Sequence, residues 1–557
     1  MTPRRTVAFV SLLLLLLTGT PHATLRAQIP SLGETIEVAI VNVDVIVTSR
    51  DGKRVRGLTR DDFEIYEDGK LQPLTHFAEY RGAATSAEPL TTATTETAAE
   101  KPPEQRRTLV IFIEMFKLPH FRVDPFIASI KDMVRTTIRK GDAVSLITYE
   151  RGAKVRISST DDVAAVERQL DDVARECVGP VHDKTSIVAN EAAEVRAFDE
   201  EGAAMLAAKG IFTPRPSSDD TAVHAAHIHT VEARVEMNRR VAVVNTVLSG
   251  LAGIEGKKTL LLASHRLGEY VGAEYYYAAG ISSDMIPAQE RAELDNRQAV
   301  RSIIASANAA GVTVYPVFPT GLDYTPADPS TPDISRPVLM NEMTMLRDIA
   351  DKTGGVTSYG TANTAALMPH VAEDITNYYS LAYHATARHE DAARKIIVKV
   401  KDRTLNVRSR REFVEKSEDT RMRDRILAVL HDAGMESEIK LVAELGQRAK
   451  ISRKTQTVPL KIKIPIGSLT LLPQGNKHSG AFTVYAITGG KLGDVSEVTR
   501  RTQAFDIPAA DLQRAQASHF TYNLDVIVNN ETQQLAVGVL DEVSKSFGLV
   551  TVPISAQ

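Results

Sequence analysis

An α/β doubly wound domain joined to all-β sandwich regions is the fold this chain predicts, and three patterns predict it. Strand-like and helix-like periods alternate from Arg107 to Tyr378, as in a mostly parallel, Rossmann-like sheet covered on both faces. The run TLVIFI (Thr108–Ile113) is continuously apolar, as a central strand buried on both faces should be. Period-two segments bounded by turn residues lie on both sides of this region, which is the mark of antiparallel sheets.

The chain has 557 residues, more than one core accommodates, so several domains are expected. A net charge of −4 gives no global electrostatic case for nucleic acid. The lack of Trp argues against a groove lined for stacking sugars or bases. Residues 1–27 have the layout of a secretory signal peptide. Arg4 and Arg5 precede the apolar stretch Val7–Leu17, and Ala23 and Ala27 stand where a cleavage site belongs. The apolar stretch is shorter than a spanning helix needs; an uncleaved membrane anchor is the alternative. The single cysteine, Cys177, forms no intramolecular disulfide, so the exported chain relies on core burial.

After the signal, residues 35–80 form an N-terminal β segment. Ile36, Val38 and Ile40 fall on one alternation phase and Val43, Val45 and Val47 on the other, which predicts a bulge or bend. Asp51-Gly52 and Asp68-Gly69 are turn signals. The segment is small for an independent fold. Residues 82–106, rich in Ala, Thr, Glu and Pro, read as a linker.

Within the α/β domain (107–378), Leu109–Ile113 is followed by a helix over Asp124–Arg139, whose apolar residues keep a helical period. AVSLITY is the next strand, and AKVRIS is a hairpin partner for it. Helices are predicted at Asp161–Val173, Thr230–Leu251, Gln298–Ala310 (with Gly311 as its cap), Asn341–Lys352 and Thr364–Tyr378. Thr259–Ala263, VTVYPVF and VTSYG supply strands. Cys177–Thr221 and Arg266–Gln289 keep no stable period, and strand order places both insertions on the ligand-binding side of such a sheet. Residues 379–415 return to β pattern and are expected to pair with 35–80, with the α/β domain inserted between them. Residues 420–450 read as a helical connector and 456–557 as a C-terminal β-sandwich.

These pieces resemble a von Willebrand factor type A domain. The flanks, VDVIVTSRDGKRVRGLTRDDFEIYEDGKLQPLTHF (Val43–Phe77) and YYSLAYHATARHEDAARKIIVKVKDRTLNVRSRREF (Tyr378–Phe413), resemble those of exported bacterial proteins called VWFA-related. The resemblance covers Thr35–Phe413. It implies a scaffold that, in its metal-dependent members, ends the first strand in D-x-S-x-S and holds Mg²⁺ on hard oxygen ligands. The matching positions here are Glu114, Phe116 and Leu118, and the position after Thr259–Ala263 falls on Ser264 or His265. Two of the three first-loop positions are apolar, so a degenerate metal site, with no metal and no cofactor, is expected.

Other constellations carry less. His224 and His227 are spaced i, i+3, but no cysteine or carboxylate completes a ligand set, and a structural role is favoured. Ser264-His265 lacks a nucleophile elbow, and no phosphate-binding glycine loop follows the first strand. The span Arg394–Arg411 contains eight Lys or Arg residues, read first as a solvated sheet face. The expected function is an exported, non-enzymatic protein-interaction or adhesion-type binding protein, secreted or periplasmic, whose partner is an envelope or extracellular protein. Membrane association is expected only through export or an uncleaved signal. Candidate contacts are Glu114, Phe116, Lys117, Tyr275 and Tyr276, the tyrosines because clustered Tyr is common at interfaces. The alternatives are an envelope hydrolase with an inter-domain cleft and a purely architectural envelope component.

Overall fold

A computed structural model describes residues 39–82, 106–115, 117, 120–150, 152–179, 188–190, 192–193, 218–264, 267–319, 335–357, 366–385, 391–431, 437–453, 455–490, 495–529 and 532–554, with single positions at 201, 205, 208 and 209. The predicted signal peptide, nearly all of the linker, most of the Cys177–Thr221 insertion, and the sites Phe116, Leu118 and His265 lie outside these residues.

The chain enters through β1 (Ala39–Thr48), β2 (Phe63–Glu67), β3 (Lys70–Gln72) and β4 (Leu74–Tyr80). Val41, Val43, Val45 and Val47 are buried on one face of β1, while Ile40 is 63% exposed. Ile36 and Val38 lie outside the described residues, and among those described no bulge or change of phase occurs. β1 keeps one unbroken register against its partner, and Ile40 lies on the outer face. Asp68 and Gly69 take positive φ at the β2–β3 turn, as their chemistry allows.

The α/β unit follows as β5 (Arg107–Glu114), α1 (His120–Thr137), β6 (Ala143–Tyr149), β7 (Ala153–Thr160), α2 (Val163–Cys177), α3 (Ser218–Ala252), β8 (Lys257–Ala263), α4 (Ala273–Ala278), α5 (Ala288–Leu294), α6 (Arg297–Ala310), β9 (Val312–Val317), α7 (Ser335–Thr353) and α8 (Leu367–Thr376). The sheet order is β7-β6-β5-β8-β9, parallel except for β7 at the edge. Alternation along β5 builds two cores. Leu109, Ile111 and Ile113 pack with α1, α2 and α8, and Val110 and Phe112 pack with α3, α6 and α7. The Arg266–Gln289 stretch, read as aperiodic, contains the six-residue helix α4, which is too short to show a period. Val356 and Thr357 of the predicted VTSYG strand are irregular, and its remaining residues lie outside the described set.

The chain then returns through β10 (Tyr378–Ala385), β11 (Ala393–Val400), β12 (Asn406–Arg408) and β13 (Glu412–Val414). These strands interleave with the first four, giving sheets β12-β1-β10-β4 and β13-β11-β2-β3, which enclose one core containing Val43, Ile65, Leu381 and Tyr383. The α/β unit thus sits between the two halves of a sandwich. The basic run is not simply a solvated face. Arg394 is buried against Glu67 at 2.8 Å and against Glu415. Arg408 binds Asp374 at 2.9 Å, and Arg410 donates to the carbonyls of Asn308 and Asn42. Lys395 and Lys399 do face outward.

Helix α9 (Glu418–His431) begins the next region, but the predicted helical connector does not continue. β14 (Val442–Leu445) and β15 (Ala449–Lys450) follow and pair with β16 (Thr455–Pro465); sheet pairing overrides local helical pattern here. β17 (Leu472–Gln474), β18 (Lys477–Gly490), β19 (Thr499–Pro508), α10 (Leu512–Gln516), β20 (His519–Asn529), β21 (Thr532–Asp541) and β22 (Phe547–Pro553) complete two facing sheets. The β18–β21 pairing is irregular between Gly489 and Gly490. The core lies between Val458, Leu460 and Ile462 on one sheet and Phe482, Val484 and Val537 on the other. Met422 and Ile426 of α9 cover the outer face of β18 and β21, and Gly253 at the end of α3 lies so close to α9 that a Cβ there would stand 2.8 Å from the Cα of Arg425.

Two charge sites generate predictions. Asp374 is fully buried and takes Arg408, Arg54 and, at 2.9 Å, the hydroxyl of Tyr315. Asp374→Ala leaves Arg408 without its carboxylate and Arg54 with only Glu373, at 3.5 Å, and a loss of about 3–5 kcal/mol in urea unfolding is expected. Lys258, half-buried, is pushed down to about 7 from 10.5 by burial first, then by Arg410 and Lys416. Its folded value lies below its unfolded one, so unfolding takes up a proton between these limits and stability rises with pH across that window. Lys258→Met is expected to flatten the rise, measured as Tm against pH.

Candidate functional site

The carboxyl ends of β5, β6 and β8 come together on the face where ligands of doubly wound sheets bind. Glu114 ends β5 on the same side as Val110 and Phe112, and so points toward α3. That helix lays Met237, Val241, Val244 and Leu248 on the sheet. Arg240 falls on the same stripe, and its guanidinium reaches Glu114 at 2.5 Å. Ser264, one residue past β8, donates its hydroxyl to the other oxygen of Glu114 at 2.8 Å. Glu114, Arg240 and Ser264 are 4%, 5% and 0% exposed. Tyr149 closes the neighbouring strand and donates to Glu236 at 2.7 Å; burial first and that bond second push its hydroxyl pKa up.

Beside this group lies a cleft of about 170 Å³ between α3, α4 and α7, lined among others by Glu232, Glu236, Tyr270, Glu274 and Glu342. Its wall is held by Asn341, whose side chain accepts from the Tyr270 amide at 2.8 Å and donates to the Tyr270 carbonyl at 2.9 Å. Gly272 opens α4 at φ 77° with the Thr230 backbone so near that a Cβ would lie 2.9 Å from its Cα, so both conformation and space require glycine.

Several predicted contacts are placed elsewhere. Glu114 is not a surface residue, because its charge is taken up internally by Arg240. Tyr275 and Tyr276 are 2% and 0% exposed; they pack with Val188, Ala192, Ala226, Ile281 and Ile286 as the core of their own loop region, and Tyr276 donates to Glu290 at 2.5 Å. Lys117 is exposed, with its ammonium on the carbonyl of Glu176. Ser264 is sealed from solvent and engaged with Glu114, which disposes of it as an accessible nucleophile. His224 is exposed, His227 lies 4.0 Å from Glu290, and the His229 ring is 5.5 Å from that of Tyr275. Among the described residues no three such side chains converge as metal ligands. Cys177 is buried, its sulfur 3.9 Å from that of Met115.

Arg240 is the residue that sequence reading passed over. Its signal was present: one arginine interrupts the apolar stripe of a long helix, where a charge is stable only against a partner.

No family model and no curated protein sequence matches the chain. Among solved structures, an aerotolerance-related membrane protein from Bacteroides fragilis NCTC 9343 is similar over 49% of this chain and 98% of its own, at 10% identity and a TM-score of 0.24. The manganese-loaded TRAP protein of Plasmodium vivax is similar over 56% of this chain and 95% of its own, at 9% identity and a TM-score of 0.23.

Arg240→Met strands a buried carboxylate and Glu114→Gln a buried guanidinium, so each should cost about 3–5 kcal/mol in chemical denaturation. The double variant should cost less than the sum of the two, since each single change has already broken the pair.

Proposed function

We propose that this chain is an exported protein-interaction or adhesion-type binding protein, secreted or periplasmic, built on a von Willebrand factor A-like domain that engages its partner without a magnesium ion. The observation that carries this reading is the Arg240–Glu114 pair. Magnesium requires several hard oxygens around a small cation. Here the one acidic residue at the end of the first strand already holds a permanently charged guanidinium and a serine hydroxyl. A divalent ion would have to displace that guanidinium or sit beside it, and either is costly in a buried site. The internal cation neutralises Glu114 and ties α3 to the central strand, so the loop face is shaped in the absence of metal.

The binding surface in this reading is the rim of the cleft above the strand ends, where Glu232 is exposed. The partner is an envelope or extracellular protein. The N-terminal segment supports export, and no helix among the described residues is long and apolar enough to cross a membrane. Crosslinking in the native envelope, with and without EDTA, tests the reading. Capture of the same partner in both conditions is expected. Capture that is lost in EDTA and restored by Mg²⁺ overturns the metal-free mechanism.

A further inference from the structure

The C-terminal sandwich is closed on one side and open on the other. On the closed side the amides of Glu438 and Ile439 bond the carbonyl of Phe547, tying the approach to β14 to the start of β22. On the open side stand two long strands, β19 and β20, one from each sheet. β19 pairs with β18, β20 pairs with β16, and among the described residues neither has a strand on its other side.

The two edges differ. β19 carries Arg500 and Arg501 and ends in Pro508, and basic residues and proline are features that blunt an edge against further pairing. β20 runs for 11 residues with no Lys, Arg or Pro, and its register with β16 is unbroken from Thr455–Asn529 to Pro465–His519. An unbroken edge of that length presents a row of backbone donors and acceptors ready for another strand.

The side chains beneath this edge are also incompletely covered. Val526 and Val528 are buried, but Phe520, Tyr522 and Leu524, on the same inward face, are only half-buried. Phe520 and Tyr522 pack on Phe482 with ring centroids at 5.0 and 5.9 Å, and Phe505 of β19 meets Phe520 at 5.3 Å. The aromatic floor is thus continuous between the two edges and open above.

We propose that β20 is an acceptor edge for an extended segment of a partner protein, with apolar side chains at alternate positions and a basic residue between them. The free backbone edge selects an extended chain. The half-buried aromatics select apolar side chains every second residue, since a strand added there points alternate residues inward. On the outer face Asp525 is exposed and has no ion-pair partner among the described residues, which favours a basic residue opposite it. This surface is separate from the cleft of the α/β unit.

Hydrogen exchange on the full chain tests the proposal, with a synthetic peptide that spans β20 and alternates valine and threonine, with a lysine in place of one central threonine. Amides of β20 that face away from β16 should exchange quickly in the free chain and slow by about tenfold or more with peptide, while those of β19 stay unchanged. Leu524→Lys, which points a charge inward, should abolish the slowing while exchange in β16 and β18 stays as in the parent chain. Asn523→Lys, on the outer face, should retain it. Absence of slowing, or slowing at β19 instead, overturns the proposal. So does protection of the edge already present in the free chain, whether a doubled mass in light scattering marks a second copy as its cause or an unchanged mass marks a segment of the same chain.

Discussion

The carboxylate of Asp374 is the point on which the arrangement of the first two units depends. It sits on α8, with no exposed surface, and binds Arg54 from the segment before the α/β unit, Arg408 from the segment after it, and Tyr315 from within its sheet. Burial lowers the pKa of both arginines, but arginine stays charged in proteins. One buried anion therefore faces two partly buried cations, of which Arg54 also lies 3.5 Å from Glu373, and the desolvation is offset only when the three chain segments are correctly docked. The pairing of Lys257 with Asp44 at 3.4 Å, its ammonium 3.6 Å from the Tyr378 ring, repeats the principle nearby. These contacts give the junction a geometric definition that apolar packing alone would leave loose.

The same logic operates at the strand ends. Arg240 and Glu114 join α3 to the central strand, and Ser264 adds the next strand to the pair. At Glu114, Arg394 and Arg408 a charge that sequence reading places at a contact surface or in solvent is instead consumed inside the protein. The chain uses its arginines as internal fasteners, at Arg54, Arg240, Arg394 and Arg408, where each reaches a carboxylate.

Elements whose period is long were readable in the sequence. The strands of the parallel sheet, the helix capped by Gly311 in the left-handed region, and the hairpin of β6 and β7 follow from apolar spacing and turn chemistry. What was not readable depends on tertiary contact. Clustered tyrosine looks the same whether it lines an interface or fills a loop core, and only neighbours such as Ile281 and Ile286 decide. The alternation of Arg394–Val400 was visible, but not that Arg394 points inward to Glu67 and Glu415. Glu114 was legible as a position of the degenerate metal site and as a candidate contact. Its partner lies far along the chain in sequence, and spacing carries no information about such a pair.

Asn377 alone separates α8 from β10, and its side chain accepts from the amide of Gly82 at the other end of the insertion. β10 is held by β1 on one side and β4 on the other. Load placed on the α/β unit therefore enters β10 at its first residue and runs along the strand axis. β4 leaves for the insertion at that same end, with Tyr80 opposite Tyr378, so the pull on the two strands is lengthwise against β1, and the hydrogen bonds of the β1–β10 ladder share the force instead of opening one after another as in a zipper. The inserted arrangement makes the sandwich a shear-loaded support for the α/β unit.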